Sequence, residues 1–215
     1  NTASNRLELT SFGWERPDVI GHSMGGFVAA ALVGLHSELV GEVVFAYGGV
    51  PLPLPPAMTV EQVMPFILGP ALTRLAMVFE SKEAYREYWK PQPAFAKGWS
   101  AAMDEYVDYE LHGDAPNMKA SANPVAVEAD FRDLFGDDLI VGSLKGLSKQ
   151  CLFIKAERGL QNEENGLYLM AVLDAVLPQY PMFKLEFLPD CNHCDMFTEA
   201  SGAEKVAQII YGDRT

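Results

Sequence analysis

The chain has 215 residues, 49% of them hydrophobic, and its 16 basic and 29 acidic side chains leave a net charge of −13. That length makes one domain with room for an inserted subdomain, and that apolar fraction excludes global disorder. The acidic surface repels phosphate backbones and anionic lipid, so nucleic acid and membrane surfaces are excluded as partners, and no apolar run reaches the roughly 20 residues of a spanning helix.

Short β-like runs alternate with helical patterns, the signature of an α/β sheet, and no internal repeat interrupts them. Asp18-Val19-Ile20-Gly21 reads as a short buried strand. A helix from Met24 to His36 follows, with Phe27, Val28, Ala31, Leu32 and Leu35 on one face. Glu42 to Tyr47 is the next strand, cut off by Gly48-Gly49. Pro51-Leu52-Pro53-Leu54-Pro55-Pro56 can be neither helix nor inner strand and marks a stiff exit from the sheet.

From Thr59 to about Ala122 the pattern is helical throughout. Thr59 with Gln62 makes a capping box, Ser81 is an N-cap, and a third helix runs near Ser100 to Leu111. Asn123-Pro124 then opens a helix through Phe135. Residues 51–122 are therefore read as a helical lid inserted into a core made of residues 1–50 and 123–215. In that core Cys151 to Lys155 is a buried strand, Gly166 to Leu177 a helix stopped by Pro178, and Phe183 to Phe187 the last strand. A closing helix, Ala203 to Tyr211, turns Val206, Ile209 and Ile210 inward.

Gly21-His22-Ser23-Met24-Gly25-Gly26 falls where the first strand turns into the first helix. A nucleophile on such a turn is held in a strained backbone conformation, and the residues two places to either side must lack a bulky Cβ, which Gly21 and Gly25 satisfy. The helix that begins at Met24 points its first N–H groups at the reacting centre, so the Met24 amide is the candidate oxyanion donor. A serine hydroxyl is too weak a nucleophile at neutral pH without a base. Of the four histidines, His22 adjoins the nucleophile and should project away from it, His36 ends the elbow helix, and His112 lies in the lid segment. His193 follows the last strand on a loop, and the C-terminal ends of parallel strands share one edge of a sheet. Ser23 and His193 are the predicted nucleophile and general base.

These residues, with a helical insertion after the following strand and Asn192-His193 ahead of Gly202-Ala203, resemble the α/β-hydrolase family, in particular its lid-bearing, esterase-like members. The resemblance implies an α/β fold, a mostly parallel sheet flanked by helices with an inserted helical lid. It also implies about 80 residues and four strands ahead of the elbow strand. Asn1 to Arg16 hold only the end of one helix, so the N-terminal strands and the second oxyanion donor are expected to lie outside this sequence. A triad acid is implied near Gly159, or 24 residues past the nucleophile at Tyr47, and neither is a carboxylate. Glu157 is the nearest acid at a strand end. Asp130 is the alternative, and Glu163 and Glu164 lie further along the loop.

The reaction so implied is cleavage of a small hydrophobic carboxylic ester, thioester or lactone through an acyl-enzyme. Hydrolysis of a carbon–carbon bond in a diketone uses the same constellation, and a catalytically inactive binding protein on the same fold is the rival outside enzymes. The lid segment carries a stripe including Met58, Met64, Phe66, Met77, Phe79, Tyr85 and Trp89, divided between packing and the wall of an apolar pocket. Cys151, Cys191, Cys194 and His193 are the ligand types of a structural zinc, but Cys191 and His193 are too close along one loop to converge. The expectation is therefore no metal and no cofactor. The partner is a small hydrophobic substrate, with a homodimer left open, and the odd count of reduced thiols suits a cytoplasmic setting.

Overall fold

The computed structural model describes residues 13–212. The sheet begins with β1 (Val19–His22), followed by α1 (Met24–Leu35) and β2 (Val43–Ala46). Four helices come next: α2 (Val60–Ile67), α3 (Gly69–Ala76), α4 (Lys82–Trp89) and α5 (Ala101–Glu110). A hairpin, β3 (Leu111–His112) and β4 (Lys119–Ala120), precedes α6 (Pro124–Asp133) and α7 (Asp138–Lys145). The chain then runs through β5 (Cys151–Ala156), α8 (Met170–Val176), β6 (Phe183–Leu188), α9 (Asp195–Thr198) and α10 (Ala200–Tyr211). The helix end expected within Asn1 to Arg16 lies, as far as residue 12, outside the described residues.

Two compact units share the chain. The first comprises Asn1–Pro53, Asp133–Ala156 and Leu167–Pro189. It holds a four-stranded parallel sheet in the order β1-β2-β5-β6, with Gly21 opposite Phe45, Ala46 opposite Ile154 and Ala156 opposite Leu188. β2 is buried along its whole length, as a central parallel strand covered on both faces should be. Phe45 meets Phe183 edge-on at 5.0 Å between ring centroids, and Phe153 meets Phe183 at 6.1 Å. Phe45 and Phe153, both fully out of water, contribute about 2–3 kcal/mol each. Helices α1 and α7 come so close that a Cβ on Gly34 would sit 2.8 Å from the Ser143 Cα.

The second unit comprises Leu54–Arg132, Glu157–Gly166 and Asp190–Thr215. Three of its helices, α2, α4 and α6, start where the sequence places their caps. Gln62 returns its side-chain oxygen to the Thr59 amide at 2.9 Å, Ser81 accepts from the Ala84 amide at 3.1 Å, and Asn123 accepts from the Val125 amide at 2.9 Å. Much of the expected aromatic and methionine stripe is this unit's own core: Phe79, Tyr85, Val107, Leu111 and Met118 are buried together, with Met77, Tyr88, Trp89 and Trp99 packed around them. Met58 and Phe66 are exposed. Burial, and then the Glu110 carboxylate that accepts its proton at 2.5 Å, push the Tyr85 hydroxyl well above the usual range for a phenol.

Three expectations are corrected. Residues 59–122 are not wholly helical, because Leu111–His112 and Lys119–Ala120 pair antiparallel around a turn in which the Asn117 amide donates to the Asp114 carbonyl at 2.8 Å. Gly113, at φ +92°, and Pro116 end helical winding there. The elbow helix buries Gly26, Phe27, Ala29, Ala30, Leu32 and Val33 and leaves Val28 and Leu35 exposed, so the predicted face is rotated. The helix expected from Gly166 begins only at Met170, while α7 and α9 went unforeseen.

Candidate active site

Ser23 stands between β1 and α1 with φ 54° and ψ −122°, a backbone conformation that side-chain-bearing residues rarely adopt. Holding it there costs on the order of 1–3 kcal/mol, which surrounding contacts must impose. The Ser23 amide donates to the Ala46 carbonyl at 3.1 Å, and the Gly26 amide donates back to the Ser23 carbonyl at 2.9 Å. A Cβ on Gly26 would lie 2.5 Å from the Gly48 carbonyl carbon, and one on Gly48 would lie 2.6 Å from the Ser23 carbonyl carbon. The elbow is thus wedged against the turn that ends β2.

That turn is itself fixed. Tyr47, at φ 56° and fully buried, donates its amide to the Ile154 carbonyl at 2.8 Å and accepts the Leu167 amide on its hydroxyl at 2.6 Å. The motif by itself places the steric demand on Gly21 and Gly25. Gly21 does meet it, with a hypothetical Cβ 2.7 Å from the Gly25 carbonyl carbon, whereas one on Gly25 meets nothing within 4 Å among the described residues. Gly26 and Gly48 carry the second half of the constraint. Met24 opens α1, so its N–H is among those without an acceptor inside the helix, as an oxyanion donor must be.

His193, Glu157 and Asp130 belong to the second unit and Ser23 to the first. His193 is 5% exposed. The stretch 157–159 pairs with the loop that carries it: Glu157 accepts the Asp190 amide at 2.6 Å, the Arg158 amide donates to the Cys191 carbonyl at 3.0 Å, and the His193 amide donates to the Gly159 carbonyl at 3.3 Å. Asp130 is exposed on α6. Of the two candidate acids, only Glu157 is joined to the histidine loop. Glu163 is engaged locally, accepting the Gln161 amide at 2.8 Å.

The loop has further anchors that sequence reasoning missed. Asn192, wholly buried, accepts the Cys194 amide at 2.9 Å and the Asp195 amide at 2.8 Å, and donates to the Ala94 carbonyl at 2.9 Å. Burial pushes the Cys194 thiol up to about 12 and the Cys151 thiol up to about 11, so neither is a nucleophile near neutral pH. Among the described residues no group of three or more His, Cys, Asp or Glu side chains is placed to hold a metal ion, and no helix is long and apolar enough to cross a membrane.

The sequence signature of the alpha/beta hydrolase family matches residues 5–209. The chain belongs to this family. Solved structures agree on the hydrolase fold. An E-2-(acetamidomethylene)succinate hydrolase superposes with a TM-score of 0.72 at 15% identity, covering 97% of this chain and 71% of that one. A marine microorganism esterase gives 0.61 at 14% identity, covering 97% and 75%. The thioesterase domain from the curacin biosynthetic pathway gives 0.61 at 15% identity, covering 94% and 70%. No curated protein matches the hydrolase by sequence.

Proposed function

We propose that this hydrolase cleaves a small hydrophobic carboxylic ester, thioester or lactone by nucleophilic catalysis from Ser23. The observation that carries the reading is the Ser23 backbone, held at φ 54° on a strand-to-helix turn by the packed Gly26 and Gly48 backbones. A serine needs no such conformation to end a strand, and imposed strain of this kind belongs to sites that must present one side chain.

In the reaction, the Ser23 oxygen attacks the acyl carbonyl while His193 takes its proton. The Met24 amide donates to the oxyanion, and collapse of the tetrahedral intermediate expels the leaving group with the proton from His193. Water then repeats the two steps on the acyl-enzyme, releasing the acid and restoring the serine. Glu157 is the carboxylate assigned to hold the histidine in its working orientation. Chain length supports the pairing of Ser23 with His193. β1 and β6 stand at opposite ends of the four-strand order, about 14 Å apart at the usual strand spacing, and the five residues from Leu188 to His193 can span up to about 17 Å. Residues 51–122 are proposed as the helical lid segment.

A fluorophosphonate probe tests the reading directly. Labelling of the full-length protein, lost in Ser23→Ala, is expected. Folded protein that takes no label would instead be a binding scaffold on a hydrolase fold.

A further inference from the structure

Among the described residues of the second unit Asp195 is the most deeply buried carboxylate, at 1% exposure, and it lies two residues past His193. Its Oδ2 accepts the Asn192 amide at 2.9 Å and meets the Lys97 ammonium at 3.2 Å. Lys97 comes from the turn between α4 and α5, and its side chain is 31% exposed. The same ammonium donates to the Asp190 carbonyl. One cation therefore holds the histidine loop on both sides of His193, at residues 190 and 195.

We propose that Lys97 is a positioning residue for His193, acting through the buried Asp195 carboxylate. This rests on the assignment of His193 as the base. Removing one partner of a buried ion pair leaves the other charge uncompensated, which costs far more than the pair's net worth. Without Lys97, Asp195 must move toward water, drawing the Asn192 amide and the neighbouring imidazole with it. A base displaced by about 1 Å loses on the order of a hundredfold in rate. The clamp also ties the base to the helical segment that follows β2, so movement of that segment is felt at His193.

The test compares wild type, Lys97→Met, Lys97→Arg, Asp195→Asn and the double variant Lys97→Met/Asp195→Asn. Labelling of Ser23 by a fluorophosphonate and turnover of p-nitrophenyl butyrate report the base, and amide exchange over residues 190–195 reports the clamp. Lys97→Met is expected to lower labelling rate and kcat by at least tenfold with KM within about twofold, and to speed loop exchange at least tenfold. Lys97→Arg should stay within about threefold of wild type. The double variant, with a neutral amide that still accepts from Asn192, should recover most of the loss. Should Lys97→Met fail to fold, Asp195→Asn decides, with labelling slowed by threefold or more expected. Wild-type labelling and exchange rates in Lys97→Met, or in Asp195→Asn where that variant decides, overturn the clamp. A wild-type protein that takes no label overturns the serine reading instead, and exchange still decides the clamp.

Discussion

Substituting Gly48 by alanine puts a methyl group against the backbone of the residue that must stay still. The added Cβ would lie 2.6 Å from the Ser23 carbonyl carbon and 2.7 Å from its Cα. Carbon atoms rest at about 3.5 Å or more, so the two backbones must part by about 0.9 Å. Neither has a flexible end to give way, since Ser23 is tied to Ala46 and Gly26 and the neighbouring Tyr47 to Ile154 and Leu167. Overpacking of this kind costs about 1–3 kcal/mol of stability, and a nucleophile displaced by about 1 Å loses on the order of a hundredfold in rate. Gly25→Ala is the comparison, because its Cβ meets nothing within 4 Å among the described residues and alanine favours a helix start. The assay is the rate of fluorophosphonate labelling beside a thermal melt. Gly48→Ala should label at least thirtyfold slower and melt lower, and Gly25→Ala should stay within a few-fold on both counts. Equal damage from the two alanines would refute the claim that the turn after β2, rather than the second glycine of the motif, holds the elbow.

Four further outcomes follow from the same geometry. Ser23→Gly should melt about 2–4 °C above Ser23→Ala, since glycine releases the strain at φ 54° for a net gain of about 1 kcal/mol, with both variants inactive. Glu157→Gln keeps an oxygen for the Asp190 amide but loses its charge, so kcat should fall about 10²–10⁴-fold with an unchanged melting temperature; a loss under threefold removes Glu157 from the triad. The Cys194 thiol, pushed by burial up to about 12, should react with iodoacetamide at pH 8 some hundreds of times slower than in unfolded protein, the rate rising with pH. Hydrogen bonds from Arg86 at 2.9 and 2.6 Å hold the Asp108 carboxyl below its ordinary range. The stability they provide is present above about pH 4 and lost as pH falls through the folded value. Asp108→Asn should therefore flatten the acid limb of a urea-denaturation series and cost roughly 1 kcal/mol at pH 7.

The elbow was legible because three local signals coincide within eight residues: a short apolar strand, a serine between glycines, and a helix. What could not be read was the partner that makes the glycines necessary. Gly48 stands 25 positions from Ser23 and reaches it only because β1 and β2 pair with His22 opposite Ala46. The face of α1 was misread because the helix is apolar nearly all round, so periodicity has no polar side to select against. The hairpin at residues 111–120 carries its turn letters, Gly113, Asp114, Pro116 and Asn117, but two-residue strands are too short to show alternation. Glu157 could be placed at a strand end, and Asn192 beside His193. That Asp195 would be buried against a lysine almost a hundred residues earlier has no local trace.

The order β1-β2-β5-β6 sets a condition on how the protein is made. Val44 and Leu152 are neighbours in the sheet, yet roughly one hundred residues separate them along the chain. A ribosome adding about 5–20 residues per second leaves the Val43–Ala46 edge waiting several seconds for its mate. During that interval an apolar ribbon destined for the middle of a sheet has open amides and carbonyls, and it can pair with whatever strand arrives first. Yield during synthesis then depends on how quickly β2 is covered as the chain lengthens, and not only on the equilibrium stability of the finished fold.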